Sequence, residues 1–223
     1  MNDLFIGFSE KSIVPSKKAS LVGQFFERIS DHVETEISVT AMAIQSGDEK
    51  AFIISCDLVS VAQTLLEKTR EKFAVLNDEV SADKLIIGAT HTHTSLLYYG
   101  SVELGTGVLN EFLPEDKQYT PLVQQDDTVL NEFEALEFLA DRIAQAAHEA
   151  WESREKSLIA NEFGRAVVGF CRRVSYDDGS GQMWGDTNTA NFVALEGGND
   201  SGIELLYVFD EAGKLTGVVA NLA

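Results

Sequence analysis

The chain has 223 residues, of which 44% are hydrophobic and 24% charged, a composition that excludes extended disorder and supports a sizeable buried core. Lys and Arg number 17 against 36 Asp and Glu, so the net charge is −19; such a chain repels phosphate backbones, and nucleic acid is excluded as a partner. No apolar run reaches the ~18 residues that span a bilayer, and no charged segment followed by an apolar one opens the chain, so the expected location is the cytoplasm.

Leu4–Ser9 reads as a short strand. Glu36–Gln45 alternates in hydrophobicity and reads as a second, with Ser46-Gly47-Asp48 turning the chain into a third, Ala51–Val59. The nearly continuous apolar character of that third strand is what burial on both faces requires. Gln63–Leu76 places Leu65, Leu66, Thr69, Phe73 and Leu76 at helical spacing, and Lys84–Thr90 is a further buried strand. Residues 51–90 thus spell strand, helix, strand, the pattern of a parallel βαβ unit. Ser95–Val129 lacks periodicity, contains Gly100, Gly105, Gly107, Pro114 and Pro121, and is long enough for a functional loop. Asn131–Trp151 is an amphipathic helix with Leu136, Leu139, Ile143, Ala147 and Trp151 on one face. Strands are expected at Ala160–Phe170, Ala190–Leu195, Gly202–Phe209 and Leu215–Leu222, the last two joined by a turn at Glu211–Lys214. The expected fold is α/β: a mixed sheet with a βαβ unit and flanking helices in layers, forming one domain over residues 1–223. The chain stops in an apolar, strand-like run, Gly217–Ala223, so it is expected to be the front part of a longer protein.

The candidate chemistry lies at the carboxyl end of the Lys84–Thr90 strand. His91 and His93 are two apart, and side chains two apart on a strand share a face, so the spacing aims two imidazoles into one space. Ligands of open α/β sheets bind at the carboxyl ends of strands, and the neighbouring strand delivers Asp57 to that edge. Imidazole ligates zinc, a carboxylate can ligate or orient a histidine, and zinc-bound water attacks carbonyls. A metal-dependent hydrolase is therefore expected, with His91 and His93 equivalent on geometry alone. His32, in a polar stretch, reads as a solvated loop residue, and His148 as a surface or half-buried helix residue. Arg172, at the end of an apolar segment, either holds a substrate carboxylate or carbonyl or forms a surface ion pair, and Arg28 carries the same two readings. Trp184-Gly185-Asp186 is a binding wall or loop packing, and Met183 with Tyr98-Tyr99 could line an apolar cleft. Neither Cys56 nor Cys171 has metal-site spacing, and both are expected to be free, buried thiols.

Ala89-Thr90-His91-Thr92-His93-Thr94 resembles the A-T-H-T-H-S-G-P segment of the neutral/alkaline, non-lysosomal ceramidase family. Phe5–Ser9 with Ile13-Val14-Pro15, Leu21-Val22-Gly23 with Arg28, Ser55-Cys56-Asp57-Leu58, Phe170-Cys171-Arg172-Arg173 and Gly217–Ala223 are similar to further family segments in the same order. The resemblance implies a ceramidase-like catalytic domain that hydrolyses a linear amide, a small N-acyl substrate, with zinc-activated water. By the same resemblance His91 binds zinc, His93 assists in the site, and Arg172 helps hold the substrate. The family's remaining ligands, a histidine, a glutamate and a tyrosine, come after the segment similar to Gly217–Ala223. Asp57 is assigned the support of the histidines. Thr94-Ser95-Leu96 and Cys171 depart from the family's Ser-Gly-Pro and asparagine. A metal-dependent esterase and a non-catalytic binding protein on the same scaffold are the alternatives.

Overall fold

The computed structural model describes residues 3–23, 28–98 and 127–222. It divides into two compact units, Met1–Lys156 and Ser157–Ala223.

The first unit carries strands β1 (Leu4–Ser12), β2 (Lys18–Ala19), β3 (Ser38–Ser46) and β4 (Glu49–Cys56), helix α1 (Gln63–Leu76) and a 3-10 turn at Ala82–Lys84. Strands β5 (Leu85–Ala89) and β6 (Val129–Leu130), helix α2 (Glu132–Glu152) and the start of β7 (Glu155–Arg165) complete it. Its sheet runs β1-β3-β4-β5, with the first two residues of β7 beside β1. The β1–β3 and β3–β4 pairs are antiparallel, the second closed by a hairpin whose Gly47 sits at φ 60°. The β4–β5 pair is parallel, and α1 lies between the two strands in the chain. This is the expected βαβ unit in a mixed sheet, and the α/β class stands.

Both helices bury their apolar stripes against one face of that sheet. Leu65, Thr69 and Phe73 from α1, and Leu139, Ile143, Ala147 and Trp151 from α2, are buried, as are the facing Val39, Ala41, Ala43, Phe52, Ile54 and Cys56. Phe52 is the centre, its ring 5.1 Å from Phe73 and 5.8 Å from Trp151. Alanines along α2 let it approach closely. At Gly7 the approach is closest, because a Cβ there would stand 2.1 Å from the Ala150 carbonyl oxygen. Asn131, expected inside the helix, is its N-cap: its side chain accepts from Phe133 and Glu134 N–H, and Glu134 bonds back to the Asn131 N–H. Strands β4 and β5 end at Cys56 and Ala89, short of the expected Val59 and Thr90. Of the expected loop, residues 99–126 lie outside the described residues, Tyr99 among them.

In the second unit β7 pairs antiparallel with β11 (Gly202–Asp210), which pairs with β12 (Leu215–Leu222). A smaller sheet is built from β8 (Arg173–Tyr176), β9 (Gly181–Met183) and β10 (Phe192–Leu195) in the order β10-β8-β9. The strand expected at Ala160–Phe170 is displaced five residues toward the N-terminus. The reason is register: β11 begins at Gly202 opposite Arg165, so no ladder partner is left for the apolar Val167–Phe170. Those residues are coil, with Val167 and Phe170 largely exposed. The β8–β9 hairpin, turning through Asp177–Ser180, was not expected from the sequence, because its strands are short and polar. Cys56 is buried as expected, whereas Cys171 is only half-buried.

Candidate functional site

Parallel pairing sets Cys56 level with Ala89, so Asp57 and Thr90 leave the sheet at the same edge. The Thr90 N–H donates to the Cys56 carbonyl at 2.9 Å, and its hydroxyl donates to Asp57 Oδ1 at 3.0 Å. The other carboxylate oxygen of Asp57 accepts from the Ser38 N–H at 2.9 Å. Asp57 therefore ties the ends of three neighbouring strands together at the root of the histidine segment.

The two histidines do meet, but not by strand alternation. The sheet ends at Ala89, and His91 has φ 62°, a left-handed conformation that a non-glycine residue adopts at a cost. The chain turns there and again at His93-Thr94. The result brings His93 Nε2 to 3.2 Å from His91 Nε2, with ring centroids 4.9 Å apart and planes at 76°. His91 Nδ1 lies 2.7 Å from the Val59 carbonyl oxygen. A carbonyl only accepts, so Nδ1 carries the hydrogen, and in the neutral imidazole Nε2 then keeps its lone pair. That leaves His93 Nε2 as the donor between the rings. The orienting partner of His91 is thus a backbone carbonyl, and the Asp57 carboxylate acts one residue earlier, through Thr90.

His93 rests on a different support. Gly23 has φ 101°, and a Cβ on it would lie 2.5 Å from His93 Cγ. The imidazole lies directly on the bare glycine. Arg28 Nη2 donates to the carbonyl oxygen of Val22 at 3.1 Å and to that of His93. Among the described residues Arg28 is a clamp on two backbone carbonyls. Beyond the turn, the Val22 N–H donates to the Ser95 carbonyl at 3.0 Å and the Leu97 N–H to the Ser20 carbonyl at 2.8 Å. Arg28 also borders a groove of about 820 Å³, lined by residues of the 14–19 and 28–35 segments with Thr94 and Leu96. Gly23 and Val59 are the site residues that spacing arguments passed over as contributors. A lone glycine carries no spacing signal, and a backbone carbonyl leaves no mark in a sequence.

Tyr98 is buried: its hydroxyl donates to the Ser60 carbonyl at 2.7 Å and accepts from the Ala62 N–H at 2.9 Å. His32 is exposed beside Asp31, as its polar surroundings suggest. In the second unit Arg172 is exposed, its guanidinium 4.9 Å from the centroid of Trp184, and the Trp184 N–H donates to the Arg172 carbonyl at 2.8 Å. Among the described residues the neighbouring Arg173 forms a surface ion pair, with Glu196 at 2.7 Å.

The histidine pair suits zinc as far as it goes. The His91 tautomer is the one a ligating histidine needs. A catalytic zinc takes three protein ligands, and among the described residues no group of three His, Cys, Asp or Glu converges. The pair is therefore suited to be part of a metal site. No described helix is long and apolar enough to cross a membrane.

No family profile and no curated protein sequence matches the chain. Solved structures do. Neutral ceramidase from Pseudomonas aeruginosa aligns over 99% of this chain with a TM-score of 0.66 at 14% identity. A ceramidase complexed with C2 aligns over the same share with a TM-score of 0.65, also at 14% identity. The chain spans 31% of the length of each. At that identity the likeness is one of fold, and the fold of this chain is ceramidase-like.

Proposed function

We propose that the protein is a zinc-dependent hydrolase of linear amides, ceramidase-like, acting on a small N-acyl substrate. The observation that carries this reading is the convergence of His91 and His93, with the His91 tautomer set by the Val59 carbonyl. The ceramidase-like fold supports it, as does the acidic surface, which attracts divalent cations.

In this reading His91 Nε2 ligates the metal. Bound zinc would lower the pKa of its water to ~7 and polarise the substrate carbonyl. His93 carries a ring N–H beside that ligand and donates it to charge that develops on the substrate oxygen. Asp57 keeps the histidine segment in place by holding Thr90. Arg172 is assigned the orienting of the substrate, a role that rests on the family resemblance.

The test uses the protein expressed from its full reading frame, assayed for bound zinc and against matched N-acyl and O-acyl substrates. His91→Ala is expected to lose zinc and activity together. His93→Ala is expected to keep zinc and lose about 10²-fold or more in kcat, the order seen when a donor to a developing oxyanion is removed. Full zinc occupancy in His91→Ala would refute the ligand assignment. Turnover of O-acyl substrates alone would establish the esterase instead, and zinc binding without turnover of either would establish a binding protein.

A further inference from the structure

The two imidazoles of the pair are held by different means, and the difference points to two residues outside the histidine segment. The His91 ring is oriented by a hydrogen bond from Nδ1 to a carbonyl. The His93 ring meets Gly23 along its Cβ–Cγ–Nδ1 edge: a Cβ at position 23 would stand 2.5 Å from Cγ and 2.7 Å from both Cβ and Nδ1. Any side chain larger than hydrogen would push the ring away from where it meets His91. Gly23 also sits at φ 101°, which L side chains rarely adopt, so position 23 excludes other residues on two independent grounds. Arg28 then locks this contact from behind. One nitrogen of its guanidinium donates to the carbonyls of Val22 and His93, the residue before Gly23 and the residue resting on it.

We propose that Gly23 and Arg28 are positioning residues that seat His93 against His91, Gly23 as the floor under the imidazole and Arg28 as the tie between the two backbone segments. The inference takes the histidine pair as the reactive group of the proposed hydrolase. The seat itself is a property of the folded chain and is measurable without metal or substrate.

The first test is a double-mutant cycle on thermal stability with Gly23→Ala and His93→Gly. If Gly23 serves as the floor for the ring, Gly23→Ala lowers Tm markedly in the wild type and much less once the ring is gone. An equal loss in both backgrounds means that the glycine serves only its own backbone, and overturns the proposal. The second test reads the seat directly. In the zinc-free wild-type protein, nuclear Overhauser contacts between the His91 and His93 rings are expected, and Arg28→Met, which keeps an apolar stem but removes the donor to both carbonyls, is expected to weaken them. Because His93 is not the ligand, Arg28→Met is expected to keep its zinc while kcat of the loaded protein falls toward that of His93→Ala. Inter-ring contacts unchanged in that variant overturn the proposal even if Gly23→Ala fails to fold. Should the wild type bind no zinc while the Gly23–His93 coupling persists, the zinc reading fails and the seat stands.

Discussion

Asp57 shows how one side chain serves a site it does not touch. Its carboxylate accepts from the Thr90 hydroxyl and the Ser38 N–H, and so joins the residue that opens the histidine segment to the start of β3. Asp57→Ala leaves both donors without their partner, at a cost of about 1–3 kcal/mol. The expected outcome in urea unfolding is a stability loss of that size, with weaker zinc binding; unchanged stability would show that the two hydrogen bonds are readily replaced by water. Next to it, Cys56 is fully buried, and burial followed by the Asp57 charge pushes its thiol up to about 12. A thiolate is the nucleophile, so Cys56 is expected to resist a thiol reagent in the native protein at pH 8. Half-buried Cys171 is expected to react, and both should react after unfolding. Rapid native labelling of Cys56, located by peptide mapping, would contradict this burial.

Helix α2 supplies much of the apolar cover of the sheet, and its start depends on the reciprocal box of Asn131 and Glu134. Asn131→Ala is expected to cost about 1 kcal/mol, read as a lower urea midpoint at neutral pH. Glu134 is held below its ordinary value of 4.5, first by the hydrogen bond from Lys17 and then by the Asn131 N–H. A depressed folded pKa means that its share of the box is fully present above pH 4.5 and is lost as the pH falls through the folded value. No change in the midpoint of Asn131→Ala would show that water caps this end equally well. Elements of this kind were the most legible. Helix α1 lies at the bounds its spacing marks, Gln63–Leu76, and α2 and the β11–β12 hairpin lie within one residue of theirs. Strand β7 was not legible, because its limits depend on where β11 offers hydrogen-bond partners, and Val167–Phe170 is as apolar as any strand.

Across the whole molecule the net charge of −19 opposes compaction by self-repulsion. Raising ionic strength from about 0.01 to about 0.15 M shortens the screening length from ~30 to ~8 Å. Tm is expected to rise over that range, by about 2–4 °C for each ~1 kcal/mol of repulsion removed. A Tm that falls would mean that the ion pairs linking α1 and α2, such as Lys72 with Glu137 and Asp141, outweigh the repulsion. At this scale the division between sequence and structure is plain. Composition, periodicity and the H-x-H spacing were enough to establish the α/β class, the βαβ unit and the pair of histidines at a strand's carboxyl end. Those are local signals, carried by neighbours within a few residues. Only the tertiary structure decided how the pair is built: the left-handed turn at His91, the Val59 carbonyl behind it, and Gly23 and Arg28 under His93. The last three join residues far apart in the chain through backbone carbonyls or an absent side chain, which leave no signature that spacing alone reveals.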